Sequence, residues 1–509
     1  MAANRVQVVI AGGGIAGVPL AYDVKSKLHG RADVTVISDS RDFHFVPANP
    51  WIALGLRAES DVTFALDPLL TARKIGLRVA ALEEIDLGHS QLELAGGVRL
   101  EYHYLVIATG IRPDWASLPG ASDNPRVHSV ILPREAARAH AAYEKFLAQP
   151  GPVVIAAAPR VPTIGPMYEY AFLLDSDLRR RALRHRVPIT LITPEPYPGH
   201  VGLDKPVARE ELSRALKTQD IQWIGNAALR SCEGRHLSFD VHDDTPQSVA
   251  RSVDFDYAMI WPPFRGVGAV ERCSALCDAD GLILVDEYQR AQANVFAVGA
   301  CTAKPLLTKT AVPVGSPDAV YVIQQQLAVV ADNIVHSLHG EPLNRASIER
   351  EHWIADMGKR GAAYLASPQM PLRNIQWLHQ GRWVYEAKRD FEDFFVNEIL
   401  FGAGQHGQVQ ALIQRLRSQE QRGKSARDGK LGSYIPLDID TRRRIDVLAR
   451  ELGIEPATFS RQLLDRAIAE ALSCLDPQAR ERVNAELHTQ LVKELEAERE
   501  RVRFEGGAP

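Results

Sequence analysis

Gly12, Gly14 and Gly17 fall in the spacing G-x-G-x-x-G. They follow the apolar run Val6, Val8, Val9 and Ile10 and precede a helical stretch, Val18 to Val24. A strand that turns tightly into a helix aims the first helical N–H groups at one point. A pyrophosphate binds there, and only glycine lets it come that close. A second apolar strand, Val34 to Ile37, follows at the distance expected for a ribose-binding partner. It ends in Ser38 with Asp39 next, and either could take the ribose hydroxyls. A second kind of chemistry would need thiolates. The cysteines are Cys232, Cys273, Cys277, Cys301 and Cys474, without the paired spacing of a disulfide framework. Cys273 and Cys277 are four apart, which could put them on one helical face, although a buried cysteine usually acts as a small hydrophobe.

Positioning such a site takes a large α/β scaffold. The chain has 509 residues, enough for two or three domains. Its 46% hydrophobic and 24% charged residues are ordinary for a globular protein. A net charge of −4 gives no global pull toward nucleic acid. No apolar run reaches the roughly 18 residues of a spanning helix. The fold begins at once, with no charged segment and apolar stretch ahead of it. The expected location is therefore cytoplasmic or peripheral on the cytoplasmic membrane face.

Two further segments resemble those of flavoproteins with two dinucleotide-binding domains. Tyr104-Leu-Val-Ile-Ala-Thr-Gly110 reads as the buried strand that closes the first such domain, with Thr109 and Gly110 at its end. Asn294-Val-Phe-Ala-Val-Gly299 resembles the late segment that reaches the flavin ribityl chain, although Ala300 stands where an acid is usual. Three pieces in this order imply FAD rather than NAD. The second nucleotide-like region opens with a buried strand, Pro152 to Ala158. It continues Pro159-Arg-Val-Pro-Thr-Ile-Gly-Pro166, with no glycine fingerprint for NADH. Electrons must then leave to another acceptor, a quinone or a protein.

Many short motifs in order resemble bacterial sulfide:quinone oxidoreductases over roughly residues 5 to 402. They include Phe43-His-Phe-Val-Pro-Ala-Asn-Pro-Trp51, Gly165-Pro-Met-Tyr-Glu-Tyr170, Glu195-Pro-Tyr-Pro-Gly-His-Val-Gly202, Arg360-Gly361 and Gly381-Arg-Trp-Val384. The resemblance implies FAD in the first domain, with Pro47 and Val79 as further candidate contacts. It also implies reactive cysteines on one flavin face and quinone entry from the membrane on the other. The cysteine positions are not kept. They correspond to Thr163, Trp353 and about Ile131, none of which can attack sulfur as a thiolate does. Sulfide oxidation by the usual route is therefore expected to be lost or altered, with Cys301, just past the flavin-contact glycine, as the best spare thiol. The resemblance also makes His200 and Glu169 candidate proton carriers, each with a structural role as the alternative. Where the family has Pro-Lys-Thr-Gly at a helix start near the flavin, this chain reads Pro317-Asp318-Ala319-Val320. Asp318 either opposes the charge of reduced flavin or simply begins the helix. The family's membrane-touching stretch corresponds to Trp383 to Phe401. Here it holds Phe391, Phe394 and Phe395 among Glu386, Asp390, Glu392, Asp393 and Glu398. A membrane-surface helix favours Lys and Arg, so weak membrane contact is expected and the aromatics could be core.

The last hundred residues read as an addition. Residues 402–432 are a polar linker. Ile435 to Ile439 is a short strand, followed by helices at Thr441–Leu452 and about Thr458–Leu472. This is similar to a ribbon-helix-helix module. Asp438, Asp440 and Pro436 in the strand argue against a DNA reader and for a dimerisation device, hence a homo-oligomer. The expected fold is α/β: two Rossmann-like dinucleotide-binding domains plus a C-terminal region and an added small α-rich module. The expected boundaries are 1–120 with 285–340 for FAD, 121–284 for the second domain and 341–401 for the quinone side. The linker 402–432, the module 433–474 and a charged helix and tail 475–509 follow. Two functions stay open: an FAD oxidoreductase of altered substrate, or an FAD-retaining scaffold assembled through its tail.

Overall fold

The computed structural model describes residues 5–346 except 163, 202–208, 244–246 and 317–319. It also describes the strands Glu351–Asp356, Gly361–Ala366 and Trp377–Gly381, and residues 392, 395 and 396. The chain divides into Met1–His406 and Gly407–Pro509, and the described fold belongs to the first unit. The ribbon-helix-helix reading, Asp318, Thr163, Phe391, Phe394 and Cys474 lie outside the described residues.

Two α/β sheets carry the architecture. In the first, the strands run in the order Arg290–Gln292, Val295–Ala297, Tyr104–Ile107, Val6–Ala11, Ala32–Ser38 and Gly76–Val79. All neighbours are parallel except the antiparallel pair at the 290–297 edge. A parallel sheet is covered on both faces, so its strands are continuous apolar runs. Val8, Ile10 and Val106 point into one core, while Val9, Leu105 and Ile107 point into another. The second sheet is wholly parallel: Val127–His128, Tyr257–Trp261, Val153–Ala157, Ile189–Ile192 and Ile221–Ile224. Its central strand Val153–Ala157 is buried along its whole length. An antiparallel sheet, Ala227–Glu233, His236–His242 and Ser248–Asp254, follows the second sheet. The three described strands beyond residue 350 form a further antiparallel sheet.

Two helices set the nucleotide end of the first sheet. Gly17–Lys27 starts with no side-chain cap and no acid in its first turn. Val320–His339 packs beside it through Leu327, Val330, Ala331 and Ile334, which share a core with Val18, Leu20, Ala21 and Val24. Lys27 and Asp332 form an ion pair across this seam. Asp23 is buried in the same place. Its carboxyl is pushed up to about 7, first by burial, with Asp332 adding to the shift and Lys27 opposing it.

The fate of the residue 383–401 stretch is specific. Phe395 is buried and stacks on Phe45, ring centroids 5.1 Å apart. It is core, as one reading of the aromatics allowed. Glu392, one of the acids that weaken the case for membrane contact, is buried and paired with Arg57 at 3.1 Å. The expectation that Cys273 and Cys277 share a helical face also fails. The helix Gly268–Arg272 ends before them, and the Cys277 thiol bonds back to the carbonyl oxygens of Val270 and Cys273.

Candidate dinucleotide and redox site

The glycine turn is built by backbone crowding. Gly12 has φ of +132°, and its N–H donates to the Ile37 carbonyl at 2.8 Å. A Cβ on Gly12 would lie 2.1 Å from the Ala108 carbonyl oxygen, and one on Gly17 would lie 1.8 Å from the Gly12 oxygen. These two glycines lock the strand, the turn and the helix together. Gly14 differs: a Cβ there would enter open space. The turn is therefore closed at its base and open at its mouth, beside an uncapped helix N-terminus, and this is the cradle a pyrophosphate requires.

The other sequence-predicted contacts line the same end of the sheet. Ser38 ends its strand, is buried, and stands against Gly13. Asp39 is exposed beside it. Val79 is Ser38's partner across the sheet, so ribose and adenine candidates are neighbours. Thr109 Oγ1 is buried with no hydrogen-bond partner among the described residues, and Gly110 follows with φ of +68°. An orphaned hydroxyl at the strand end fits a bound polar ligand. Pro47 sits half-buried in the short turn Val46–Ala48. Gly299 has φ of +78°, and its N–H donates to Gln326 Oε1 at 2.8 Å. Ala300, beside it, is half-buried. Gln326 lies 27 residues past Gly299, with no spacing signal that could have pointed to it.

The candidate redox residues do not converge equally. The Cys301 thiol is fully buried in the core that includes Val9 and Ile107, where it donates to the Ile107 and Val298 carbonyl oxygens at 3.3 and 3.2 Å. The thiol is thus committed to backbone carbonyl oxygens inside the core and faces away from the glycine turn's open mouth. Cys232 is also fully buried, and burial pushes its thiol up to about 12. Ile131 lies just before the helix Pro133–Ala148 and packs against the main core. Trp353 pairs with Tyr364 between two antiparallel strands.

Three turns meet at the ends of the two sheets. The turn after Val153–Ala157 carries Arg160 at φ of +63°, whose N–H donates to the Pro313 carbonyl at 2.9 Å. Gly315 is pressed on the Arg160 and Val161 carbonyls, so small loop residues are needed there. The loop between Ala303 and Ser316 thus folds onto the start of the helix Gly165–Arg180, which carries buried Glu169. The third turn carries His200. Its Nε2 is 3.3 Å from Thr308 Oγ1, and its ring meets Tyr197 edge-on at 5.1 Å. His200 is therefore tied to this loop, whereas Cys301 is turned into the sheet core.

One buried acid was missed. Glu195 is wholly buried, and burial pushes its carboxyl up to about 7, opposed by donors from Tyr168, Val201, Thr193 and His200. Both Tyr168 and Glu195 stood inside recognised segments, yet spacing alone did not show that they touch.

The nucleotide cradle, the second sheet without a glycine fingerprint and the loop between them define a two-domain dinucleotide-type oxidoreductase. Residues 6–155 match the family of pyridine nucleotide-disulphide oxidoreductases. The sulfide-quinone reductase of Aquifex aeolicus is 32% identical over 401 residues, spanning 78% of this chain and 91% of that one. The solved structure of the Aquifex aeolicus sulfide:quinone oxidoreductase superposes with a TM-score of 0.75 at 29% identity, covering 81% of this chain and 95% of that one. A mitochondrial sulfide:quinone oxidoreductase of Dictyostelium discoideum is 24% identical over 355 residues, spanning 67% of this chain and 73% of its own. The chain belongs to the sulfide-quinone reductase family.

Proposed function

We propose that the chain is an FAD-dependent oxidoreductase of the sulfide:quinone reductase type in which oxidation of free sulfide is lost or altered. Two things support this reading: the glycine cradle is kept, and the family's cysteine motifs are read here with other residues. The turn at Gly12 to Gly17 is closed at its base and open at Gly14, and Thr109 holds a buried hydroxyl in need of a partner. The positions aligned with the family's cysteines read Thr163, Trp353 and about Ile131. When bound, FAD supplies two-electron redox chemistry at its ring.

The chain's own residues then have these roles. The Gly14 mouth and the helix start at Gly17 hold the pyrophosphate. Ser38 or Asp39 takes the ribose, and Val79 and Pro47 border it. Thr109 and Gly110 would contact the FAD at the end of the closing strand, and Gly299 and Ala300 would contact its ribityl chain. Gln326 holds the Gly299 backbone, and Ala300 removes one acid from that side. His200 and Glu169 carry protons on the donor side, and Thr308 orients the His200 ring. The acceptor is a quinone or a protein, since the second domain lacks an NADH fingerprint. Membrane contact, if made, is peripheral: among the described residues no helix is long and apolar enough to cross a membrane.

A second reading is an FAD-holding scaffold that assembles through residues 433–474. The inward-turned Cys301 favours it, because its thiol is committed to the carbonyl oxygens of Ile107 and Val298. Anaerobic photoreduction of the purified holoprotein, followed by a quinone analogue, separates the two. Rapid reoxidation supports the enzyme. A photoreduced flavin that reoxidises only with oxygen supports the scaffold.

A further inference from the structure

Glu195 and Tyr168 collect the backbone of the turn that carries His200. Gly199 N–H donates to the Tyr168 hydroxyl oxygen at 3.1 Å. Val201 N–H donates to Glu195 Oε1 at 2.7 Å. The His200 N–H also acts on the Glu195 carboxylate. Tyr168 O–H donates in turn to Glu195 Oε2 at 2.6 Å, and Thr193 O–H donates to the same oxygen at 2.9 Å. The Trp223 indole N–H donates to the Tyr168 oxygen at 3.3 Å. The Glu195 carbonyl is fixed as well, by Asn226 N–H at 2.8 Å.

Two features show that this is more than core filling. Every partner of the Glu195 carboxylate is a donor, so the ionised form is the one that satisfies them all. Val201 is β-branched yet has φ of +40°, a conformation that persists only where the surroundings impose it. In this conformation its N–H is bonded to the Glu195 carboxylate. What the constrained turn presents is His200, directed at Thr308.

We propose that Glu195 and Tyr168 are a positioning pair that pins the turn 199–201, so that His200 holds one ring orientation against the loop between Ala303 and Ser316. The functional meaning rests on the redox reading above, but the clamp does not. In that reading, a His200 ring held against Thr308 keeps one orientation, whereas a loose turn would let the ring exchange nitrogens.

The test uses the full-length holoprotein without any electron donor, so that it is independent of activity. Amide exchange of the peptide spanning 196–201 is measured by mass spectrometry, and the His200 ring nitrogens are followed in ¹⁵N-histidine-labelled protein, assigned by loss of signal in His200→Gln. Glu195→Gln keeps the volume but turns an N–H₂ toward donors. Tyr168→Phe keeps the ring and removes the acceptor for Gly199 and Trp223. In both variants we expect exchange of this peptide to rise about tenfold or more while the central strands stay protected, and the His200 ring signal to move. If Glu195→Gln fails to fold, Tyr168→Phe carries the test. Unchanged exchange and an unchanged His200 signal in Tyr168→Phe, even with a lowered unfolding temperature, would overturn the proposal and leave the pair as core filling. Failure of the redox reading would look different: a clamp that behaves as expected in a protein whose flavin no donor reduces.

Discussion

Replacing Asp23 with asparagine should stabilise the protein, and by more at pH 8 than at pH 5. Asp23 sits in the first nucleotide helix, buried against the seam with Val320–His339. Burial is the main cause that lifts its carboxyl from 3.8 to about 7. The sign follows from the direction. A raised carboxyl pKa means the folded state prefers the protonated form. Stability is then fully present below the unfolded value near 4 and is lost as pH rises through about 7. A shift of about three units corresponds to about 4 kcal/mol above pH 7, at roughly 1.4 kcal/mol per unit. Asparagine mimics the neutral form, so its advantage over the native chain should be small near pH 5 and should grow by about 2–3 kcal/mol by pH 8. Urea unfolding of both proteins at the two pH values, with FAD in excess, measures the difference. The reasoning is refuted if the variant's advantage is the same at both pH values, because the charge would then be satisfied in the fold by Lys27.

Further predictions follow from the same geometry. Gly14→Ala should fold normally and bind FAD at least about tenfold more weakly, since its methyl enters the open mouth, whereas Gly17→Ala should impair folding because its Cβ lies 1.8 Å from the Gly12 oxygen; retained flavin and melting curves distinguish them. Glu392→Ala leaves Arg57 unpaired at a buried contact and should lower stability by about 1–3 kcal/mol, with a parallel loss in Arg57→Ala and a smaller one in the double variant, a coupling that a double-mutant cycle reads. Truncation after Gly402 should lower the oligomeric order without releasing FAD; equal light-scattering masses for full and truncated chains would remove the assembly role of the tail.

The nucleotide half of the fold was legible because its signals are local. Glycines at Gly12 and Gly17 are forced by backbone contacts that any such turn makes, and a strand buried on both faces, such as Tyr104–Ile107, reads as an unbroken apolar run. The missing NADH fingerprint after Pro159 was equally local. What was not legible depends on pairs far apart in the chain. Glu195 meets Tyr168 across 27 residues, and Arg57 meets Glu392 across 335. Nothing near Glu392 in sequence announced its partner. Cys301 shows a further limit: its neighbourhood in the sequence placed it beside a flavin-contact glycine, but side-chain direction within a three-residue turn is set by packing against Ile107, which spacing does not encode.

The most direct test of the central claim is stopped-flow mixing of the oxidised holoprotein with sulfide under anaerobic conditions, followed at the flavin band. If Thr163 and Trp353 take the places of the family's thiolates, as proposed, the flavin should be reduced by sulfide slowly or not at all, although photoreduction bleaches it fully. Rapid bleaching by sulfide would contradict the account, and its persistence in Cys301→Ser would show that Cys301 is not the thiol responsible.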